Sequence, residues 1–291
     1  MRAFALTLLF AAGISAQQQD FAKVEVKATK VAGNVYVLTG SGGNIGATVG
    51  DDGVALIDDQ FAPLAPKIQA ALRQLSPRPV RFVINTHWHG DHTGGNPVFA
   101  ETATIMAHLN VRKRLLSGGK TPFIEFPPVT GKALPVVTFE QGLSLWWNGE
   151  EIRAIHPGIG HTDGDSVIWF MRSNVVHMGD DYFAGMFPFV DLASGGSVTK
   201  LIESLDVILG QIPADAKVIP GHGPVTGVAE LRSYRGMLDG VVAAVRKGLA
   251  SGKTVEQMQK EKVLAPWEDW GKGFVNADTF LAVVAEDLGK K

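Results

Sequence analysis

The sequence contains no cysteine, and this absence excludes several kinds of site. The protein has no disulfide, no thiolate metal ligand and no lipid attached through an N-terminal cysteine. Any metal that it binds must be held by imidazole, carboxylate or carbonyl groups. If the protein is exported, packing and bound metal must stabilise it without disulfides.

A strong charge of one sign is also missing. The 291 residues include 27 basic and 29 acidic side chains, a formal net charge of −2, and no segment concentrates the basic ones. Such a chain gains no electrostatic help in binding a phosphate backbone. We therefore expect a small-molecule substrate and no nucleic-acid partner. The composition does not indicate whether the protein is a monomer or an oligomer.

Long apolar runs are scarce beyond the N-terminus. Arg2 precedes the apolar residues 3–14, a small Ser15-Ala16 pair and three polar glutamines, which is the order typical of a secretory signal. We expect residues 1–16 to be a signal peptide and the mature protein to be periplasmic or secreted. The run is too short to span a bilayer comfortably, so no membrane span is expected after cleavage. An uncleaved anchor is the alternative.

Two common catalytic motifs are absent as well. The chain has no Gly-x-Ser-x-Gly nucleophile elbow, and the glycine-rich residues 40–44 lack the Lys-Ser or Lys-Thr pair of a phosphate-binding loop. The sequence therefore favours neither a serine nucleophile nor a bound nucleotide.

What is present is a dense cluster of metal-ligand residues: His87, His89, Asp91 and His92. The preceding apolar residues 80–84 predict a buried strand. In an extended backbone His87 and His89 project to the same side, and Gly90 lets the chain turn so that the last two ligands reach the same place. These ligands suit zinc, or iron and manganese with less preference. Four such residues in six disfavour the alternative of a polar loop with hydrogen-bonded histidines.

Other polar residues follow short apolar runs elsewhere in the chain: Asp58, His161, Asp180 and His222. Sites in α/β proteins are built at strand ends, so we expect these residues to approach the cluster. Spacing alone leaves Asp58 as either a turn residue or a group that orients metal-bound histidines. We expect His108 to cap a helix or lie in the core.

Taken together, these residues resemble the five ordered motifs of the metallo-β-lactamase superfamily: Asp58, His87-Trp88-His89-Gly90-Asp91-His92, His161, Asp180 and Gly221-His222-Gly223. The resemblance covers residues 24–225. It implies an α/β fold, a four-layered αβ/βα sandwich of two mixed β-sheets flanked by helices. We expect a single domain over residues 20–291, with a helical C-terminal segment from about residue 228 to residue 291.

The resemblance also implies two bound Zn²⁺ ions, with iron or manganese possible. The first ion would be held by His87, His89 and His161, and the second by Asp91, His92 and His222. Asp180, rather than the adjacent Asp181, matches the carboxylate that bridges both ions. Asp58 matches the aspartate that orients the ligands, and we expect Trp88 to be a packing residue.

The implied activity is hydrolysis, in which a hydroxide shared by two ions attacks a carbonyl while Asp91 orients it and transfers a proton. The substrate would be a small ester, lactone, thioester or amide. Asp180 favours thioesterase-like and lactonase-like members over dedicated β-lactamases, whereas export favours a β-lactam substrate. A β-lactamase therefore remains the alternative, followed by an iron-dependent oxygenase or a non-catalytic metal binder.

Two further segments have local predictions. Residues 136–155 are expected to form three strands, with a tight hairpin turn at Asn148-Gly149. Residues 117–135 are apolar, rich in proline and without periodicity, which is typical of either a packed connector or a flap over a site.

Overall fold

The computed structural model describes residues 20–120 and 125–290. The expected signal peptide, residues 1–16, lies outside these ranges. Within them, no helix is both long enough and apolar enough to cross a membrane.

Runs of strands are interrupted by helices along the chain, and the described C-terminal part is helical. In chain order the strands are β1 (Lys27–Ala32), β2 (Val35–Thr39), β3 (Ile45–Gly50), β4 (Gly53–Ile57), β5 (Val80–Asn85), β6 (Thr104–His108), β7 (Gly119–Lys120), β8 (Glu125–Phe126), β9 (Val137–Phe139), β10 (Gly142–Trp147), β11 (Glu150–Ile155), β12 (Val167–Phe170), β13 (Val175–His177), β14 (Lys217–Ile219) and β15 (Thr226–Gly227). The α-helices are α1 (Ala65–Arg73), α2 (Gly90–Thr93), α3 (Asn96–Phe99), α4 (Leu109–Ser117), α5 (Val198–Leu209), α6 (Val228–Ala250), α7 (Val255–Lys260) and α8 (Ala277–Gly289).

Two mixed sheets form the centre of the molecule. The first has the order β1-β2-β3-β4-β5-β6-β9; its first four strands are antiparallel neighbours, and β4, β5, β6 and β9 are parallel. The second has the order β10-β11-β12-β13-β14-β15, with one parallel pair, β13 and β14. Strands β7 and β8 form a separate small hairpin.

Three apolar clusters separate these sheets and the helices into layers. Val37 and Ile57 from the first sheet pack with Ile168 and Phe170 from the second, so the two sheets face each other. Helix α1 covers the outer face of the first sheet, and helices α5, α6 and α8 cover the outer face of the second. The expected four-layered sandwich of two mixed sheets flanked by helices is therefore confirmed.

The local predictions also hold. Residues 136–155 form β9, β10 and β11, and the hairpin turn has positive φ at both Asn148 (54°) and Gly149 (71°), as a tight two-residue hairpin requires. His108 caps α4 by accepting a hydrogen bond from the Asn110 backbone N–H at 3.3 Å.

Aromatic packing ties the C-terminal helix α8 to the residues that follow β13. Phe280 on α8 is fully buried and its ring stacks on that of Phe187, with centroids 4.7 Å apart. Replacing Phe280 with alanine should lower the free energy of unfolding by about 3–5 kcal/mol, because a buried ring is lost and a cavity remains. The exposed Phe274 is the matched control, and its replacement with alanine should cost less than about 1 kcal/mol. Equal losses in urea denaturation at one fixed zinc concentration would contradict this packing.

Candidate metal centre

The predicted ligands come together at one edge of the two sheets. The first four ligands follow the end of β5, and the short helix α2 turns Asp91 and His92 back towards His87. His161 lies in the loop between β11 and β12, and Asp180 and His222 follow β13 and β14. Because β4 and β5 are parallel neighbours, their ends bring Asp58 to the same edge.

These side chains form two groups of candidate ligands. His87, His89, His161 and Asp180 make up the first group, and Asp91, His92 and His222 the second. Within each group the ligand atoms all lie within 4.8 Å of one another. The sequence prediction assigned the three histidines of the first group to one ion and all three members of the second group to the other.

Asp180 lies between the two groups. Its Oδ1 is 3.1 Å from His92 Nε2, and its Oδ2 is 3.6 Å from His161 Nε2 and 3.5 Å from His222 Nε2. A carboxylate in this position has one oxygen available for each group. Asp181 points elsewhere, because its Oδ1 accepts a hydrogen bond from the His161 backbone N–H at 3.1 Å.

Buried polar atoms that lack hydrogen-bond partners indicate that this site fits a cation. His87 Nε2, His92 Nε2 and Asp180 Oδ1 are buried without a hydrogen-bond partner, which is costly in a folded protein. His89 Nδ1 and His161 Nε2 lie only 2.8 Å apart. Cations coordinated by the two groups would satisfy all of these atoms.

The hydrogen bonds on the far side of the His89 and His161 rings also indicate a cation. His89 Nε2 lies 3.0 Å from Asp191 Oδ2, and His161 Nδ1 lies 2.6 Å from the Phe189 carbonyl oxygen. When both rings are neutral, each of these nitrogens donates its proton to that acceptor, so both facing nitrogens carry lone pairs. Two lone pairs at 2.8 Å repel unless positive charge lies between them.

Burial keeps two of the imidazoles neutral and so ready to coordinate. It lowers the pKa of His87 well below its usual value and that of His161 to about 4. Burial would raise the pKa of the Asp180 carboxyl, but the neighbouring His222 and His92 outweigh it and hold that pKa well below its usual value. His87, His161 and Asp180 therefore favour the neutral imidazole and ionised carboxylate forms that bind divalent metal. Burial would lower the pKa of His92 and His222, but Asp180 outweighs it and raises the pKa of His92 well above its usual value and that of His222 to about 9. A metal that binds these two histidines must displace a proton from each.

Asp58 orients two of the candidate ligands. Its carboxylate accepts from His92 Nδ1 at 2.8 Å and from the backbone N–H and hydroxyl of Thr86, both at 2.7 Å. Because the Thr86 hydroxyl donates to Asp58, it can accept from His87 Nδ1, which lies 3.1 Å away. Both histidines then turn Nε2 towards the site. Asp58 has a φ of 64°, an uncommon backbone conformation for aspartate that aims this carboxylate.

Sequence reasoning did not find Asp191 or the Phe189 carbonyl. Asp191 is 102 residues from His89 in the chain and has no histidine or glycine beside it to mark it as part of a site. The Phe189 contact is made by a backbone oxygen, which leaves no sign in the sequence.

The glycine-rich residues 40–44 approach the site closely. A Cβ on Gly43 would lie 2.0 Å from His92 Cε1, so only glycine fits there. The next residue, Asn44, donates from its side chain to the carbonyl oxygens of Pro220 and Gly223 at 2.9 and 2.8 Å. This turn therefore holds the His222 loop against the first sheet.

The described part of segment 117–135 contacts the site through Phe126, a contact that fits both the packed connector and the flap. Phe126 on β8 contacts Trp88 with ring centroids 5.0 Å apart and stacks on His89 at 5.8 Å. Trp88 itself is 2% exposed and lies in an apolar cluster, consistent with a packing role.

Comparison with known proteins identifies the family. The model of the metallo-beta-lactamase superfamily matches residues 28–222. The chain belongs to this superfamily. Two solved metallo-beta-lactamases, DIM-1 and the enzyme from Pontibacter korlensis, share its fold with a TM-score of 0.63 each. Each is 18% identical to it; they cover 75% and 74% of this chain, and 99% of each of their own chains is covered.

Relatives by sequence have varied names. The 2,4-dinitroanisole O-demethylase subunit alpha of Nocardioides sp. strain JS1661 is 29% identical to this superfamily member over 80% of the chain and 68% of the relative. An uncharacterized protein of Aquifex aeolicus is 27% identical over 62% of the chain and 84% of the relative. A beta-lactamase-like protein 2 homolog of Caenorhabditis elegans is 23% identical over 50% of the chain and 43% of the relative.

The orienting role of Asp58 generates a prediction on metal affinity. Asp58→Asn should weaken zinc binding about 10–100-fold, because removing the carboxylate partner of a ligating histidine has effects of this size. The measurement is competition with a chromophoric chelator.

Asp59→Asn is the matched control in this superfamily member. Asp59 is fully buried, and burial together with Asp58 raises its pKa well above the usual value, which favours its uncharged form. Its side chain makes no hydrogen bond to a candidate ligand and accepts instead from the Gly95 N–H at 2.9 Å. Its backbone N–H donates to the His92 carbonyl at 3.0 Å, and the substitution keeps this bond. Equal affinities in the two variants would contradict the role given to Asp58.

Proposed function

We propose that this protein is a binuclear zinc hydrolase acting on the carbonyl of a small ester, lactone, thioester or amide. The observation that carries the proposal is the position of Asp180 between two groups of ligands, with an oxygen available to each. The ligands are nitrogen and oxygen atoms only, which suits zinc.

The first group would hold one ion through His87, His89 and His161. The second ion would be held by Asp91, His92 and His222, with Asp180 shared between them. When bound, two divalent ions lower the pKa of water and supply hydroxide near neutral pH.

Asp91 is the group best placed to accept a proton from water and to donate it to the leaving group. Its side chain is 26% exposed and its Oδ2 lies 3.3 Å from His222 Nε2, so it is the carboxylate on the open side of the site. From there Asp91 can accept a hydrogen bond from the attacking water, orient it, and transfer its proton to the leaving group.

The aromatic lining favours a substrate held away from bulk water. Phe126 lies against His89 on one side, and Phe183 stacks on His222 with centroids 5.1 Å apart on the other. Such rings exclude water from the ligands and strengthen the electrostatic interactions between the site and a polarised carbonyl.

A second candidate reaction comes from one relative. The name of the Nocardioides protein describes O-demethylation of 2,4-dinitroanisole, an aryl methyl ether. Hydrolysis of an activated aryl ether gives a phenol and an alcohol, and it would use the same water and the same proton transfer by Asp91.

We also propose that the reaction takes place outside the cytoplasm, because residues 1–16 have the order of a secretory signal.

The function is tested with the zinc-loaded protein and a panel that contains a lactone, a thioester, an aryl ester, an activated aryl ether and a β-lactam. We expect turnover of at least one carbonyl substrate, its loss on chelation and its return with zinc. His89→Ala and Asp180→Ala should each abolish turnover, because each removes a proposed ligand.

His108→Asn is the matched histidine control. His108 lies outside both ligand groups, and asparagine keeps the helix cap, so this variant should retain full activity. Unchanged turnover in His89→Ala and Asp180→Ala would refute the proposal. Turnover of only the β-lactam would make the protein a β-lactamase, and one iron per chain with no hydrolysis would favour an oxygenase.

A further inference from the structure

A segment from the C-terminal part of the chain reaches the metal centre. Residues 271–276 lie beyond the family match, which ends at residue 222, and lead into α8. The Phe187 N–H donates to the Trp270 carbonyl at 2.8 Å, and a Cβ on Gly273 would lie 2.7 Å from Met186 Sδ. The segment is therefore seated directly on the residues that follow Asp180 in the chain.

Phe274 lies at the end of this segment and contacts a candidate ligand. Its ring centroid is 5.9 Å from that of His222 and 5.6 Å from that of Phe183. Phe183 is fully buried and stacks on His222. The three rings form one aromatic group in which His222 is the only member able to coordinate metal.

The ring of Phe274 is held in place although it is exposed. Its neighbour Val275 is 2% exposed, and Asn276 caps α8 by accepting from the Thr279 N–H at 2.9 Å. Phe274 itself is 55% exposed. A single exposed phenylalanine is ordinary on a protein surface, but this one is fixed on both sides and lies against a candidate ligand.

The open side of the site is also beside Phe274. Five of the seven candidate ligands are buried, whereas the side chains of Asp91 and His222 are 26% and 20% exposed. A substrate therefore approaches past Asp91 and His222, next to the exposed face of Phe274. The one charged residue of the segment, Lys272, pairs with Asp269 at 2.7 Å, and both side chains are exposed.

Resting on the hydrolase function proposed above, we propose that Phe274 forms a wall of the substrate pocket. The substrate carries an aromatic group beside the bond that is broken, and this group packs on the Phe274 ring next to His222. Aromatic rings prefer such offset or edge-to-face partners, which add to the gain from burying apolar area.

The test compares wild type, Phe274→Ala and Phe274→Tyr on phenyl acetate and methyl acetate with zinc bound. Phe274→Ala should lower kcat/KM for phenyl acetate about tenfold, mainly through KM, and leave methyl acetate within about twofold. Phe274→Tyr keeps a ring and should restore phenyl acetate turnover. Trp146→Ala removes an aromatic residue that is 72% exposed on β10, away from the site, and should change neither substrate.

A binding measurement separates this proposal from the hydrolase proposal. Two carboxylate ions that the protein does not hydrolyse, the anion of phenylacetic acid and acetate, are compared by calorimetry with the zinc-loaded protein. The wild type should bind the aromatic anion more tightly than acetate, and this preference should fall about tenfold in Phe274→Ala. If the wild type hydrolyses no carbonyl substrate of the panel but this change is seen, the aromatic wall stands and the hydrolase function is wrong. If the esters are hydrolysed but Phe274→Ala affects both equally, or neither, the aromatic wall is wrong.

Discussion

The lone pairs of buried imidazoles that face one another are the constraint on which this site depends. His89 Nδ1 and His161 Nε2 are 2.8 Å apart, and the other nitrogen of each ring is already engaged by Asp191 or by the Phe189 carbonyl. Two acceptors at this distance destabilise the fold unless positive charge lies between them. A cation bound there would therefore stabilise the fold as well as supply the chemistry proposed for the site.

The fold meets this constraint by bringing loops from both sheets to one edge. Strands β4 and β5 end together in the first sheet, and β13 and β14 end together in the second. The apolar layer between the sheets fixes the two edges relative to each other. The ligand loops need little regular structure of their own, because Asp58, Asn44 and the aromatic rings hold them from outside.

Most of the metal centre could be predicted because four of its seven candidate ligands are close together in the sequence. His87, His89, Asp91 and His92 follow a recognisable strand, and their spacing alone indicates a metal. Asp180 was separated from Asp181 only through family resemblance, and the structure gives the physical difference: Asp181 is engaged by the His161 backbone N–H. Asp191 and Phe274 could not be predicted, because each reaches the site through tertiary packing of a segment that carries no ligand pattern. The layered fold was predicted from the resemblance of the motifs to the superfamily. Residues 117–135 were predicted only as a packed connector or a flap, because an apolar segment without periodicity does not indicate which residues it will contact, and the contact of Phe126 with His89 is visible only in the structure.

The central claim is that this chain holds two metal ions that share Asp180. The most direct measurement is crystallographic, with anomalous diffraction recorded on either side of the zinc absorption edge. The account predicts two zinc peaks per chain, one among His87, His89 and His161 and one among Asp91, His92 and His222, with Asp180 in contact with both. A single peak at saturating zinc, or two peaks that do not share Asp180, would contradict it.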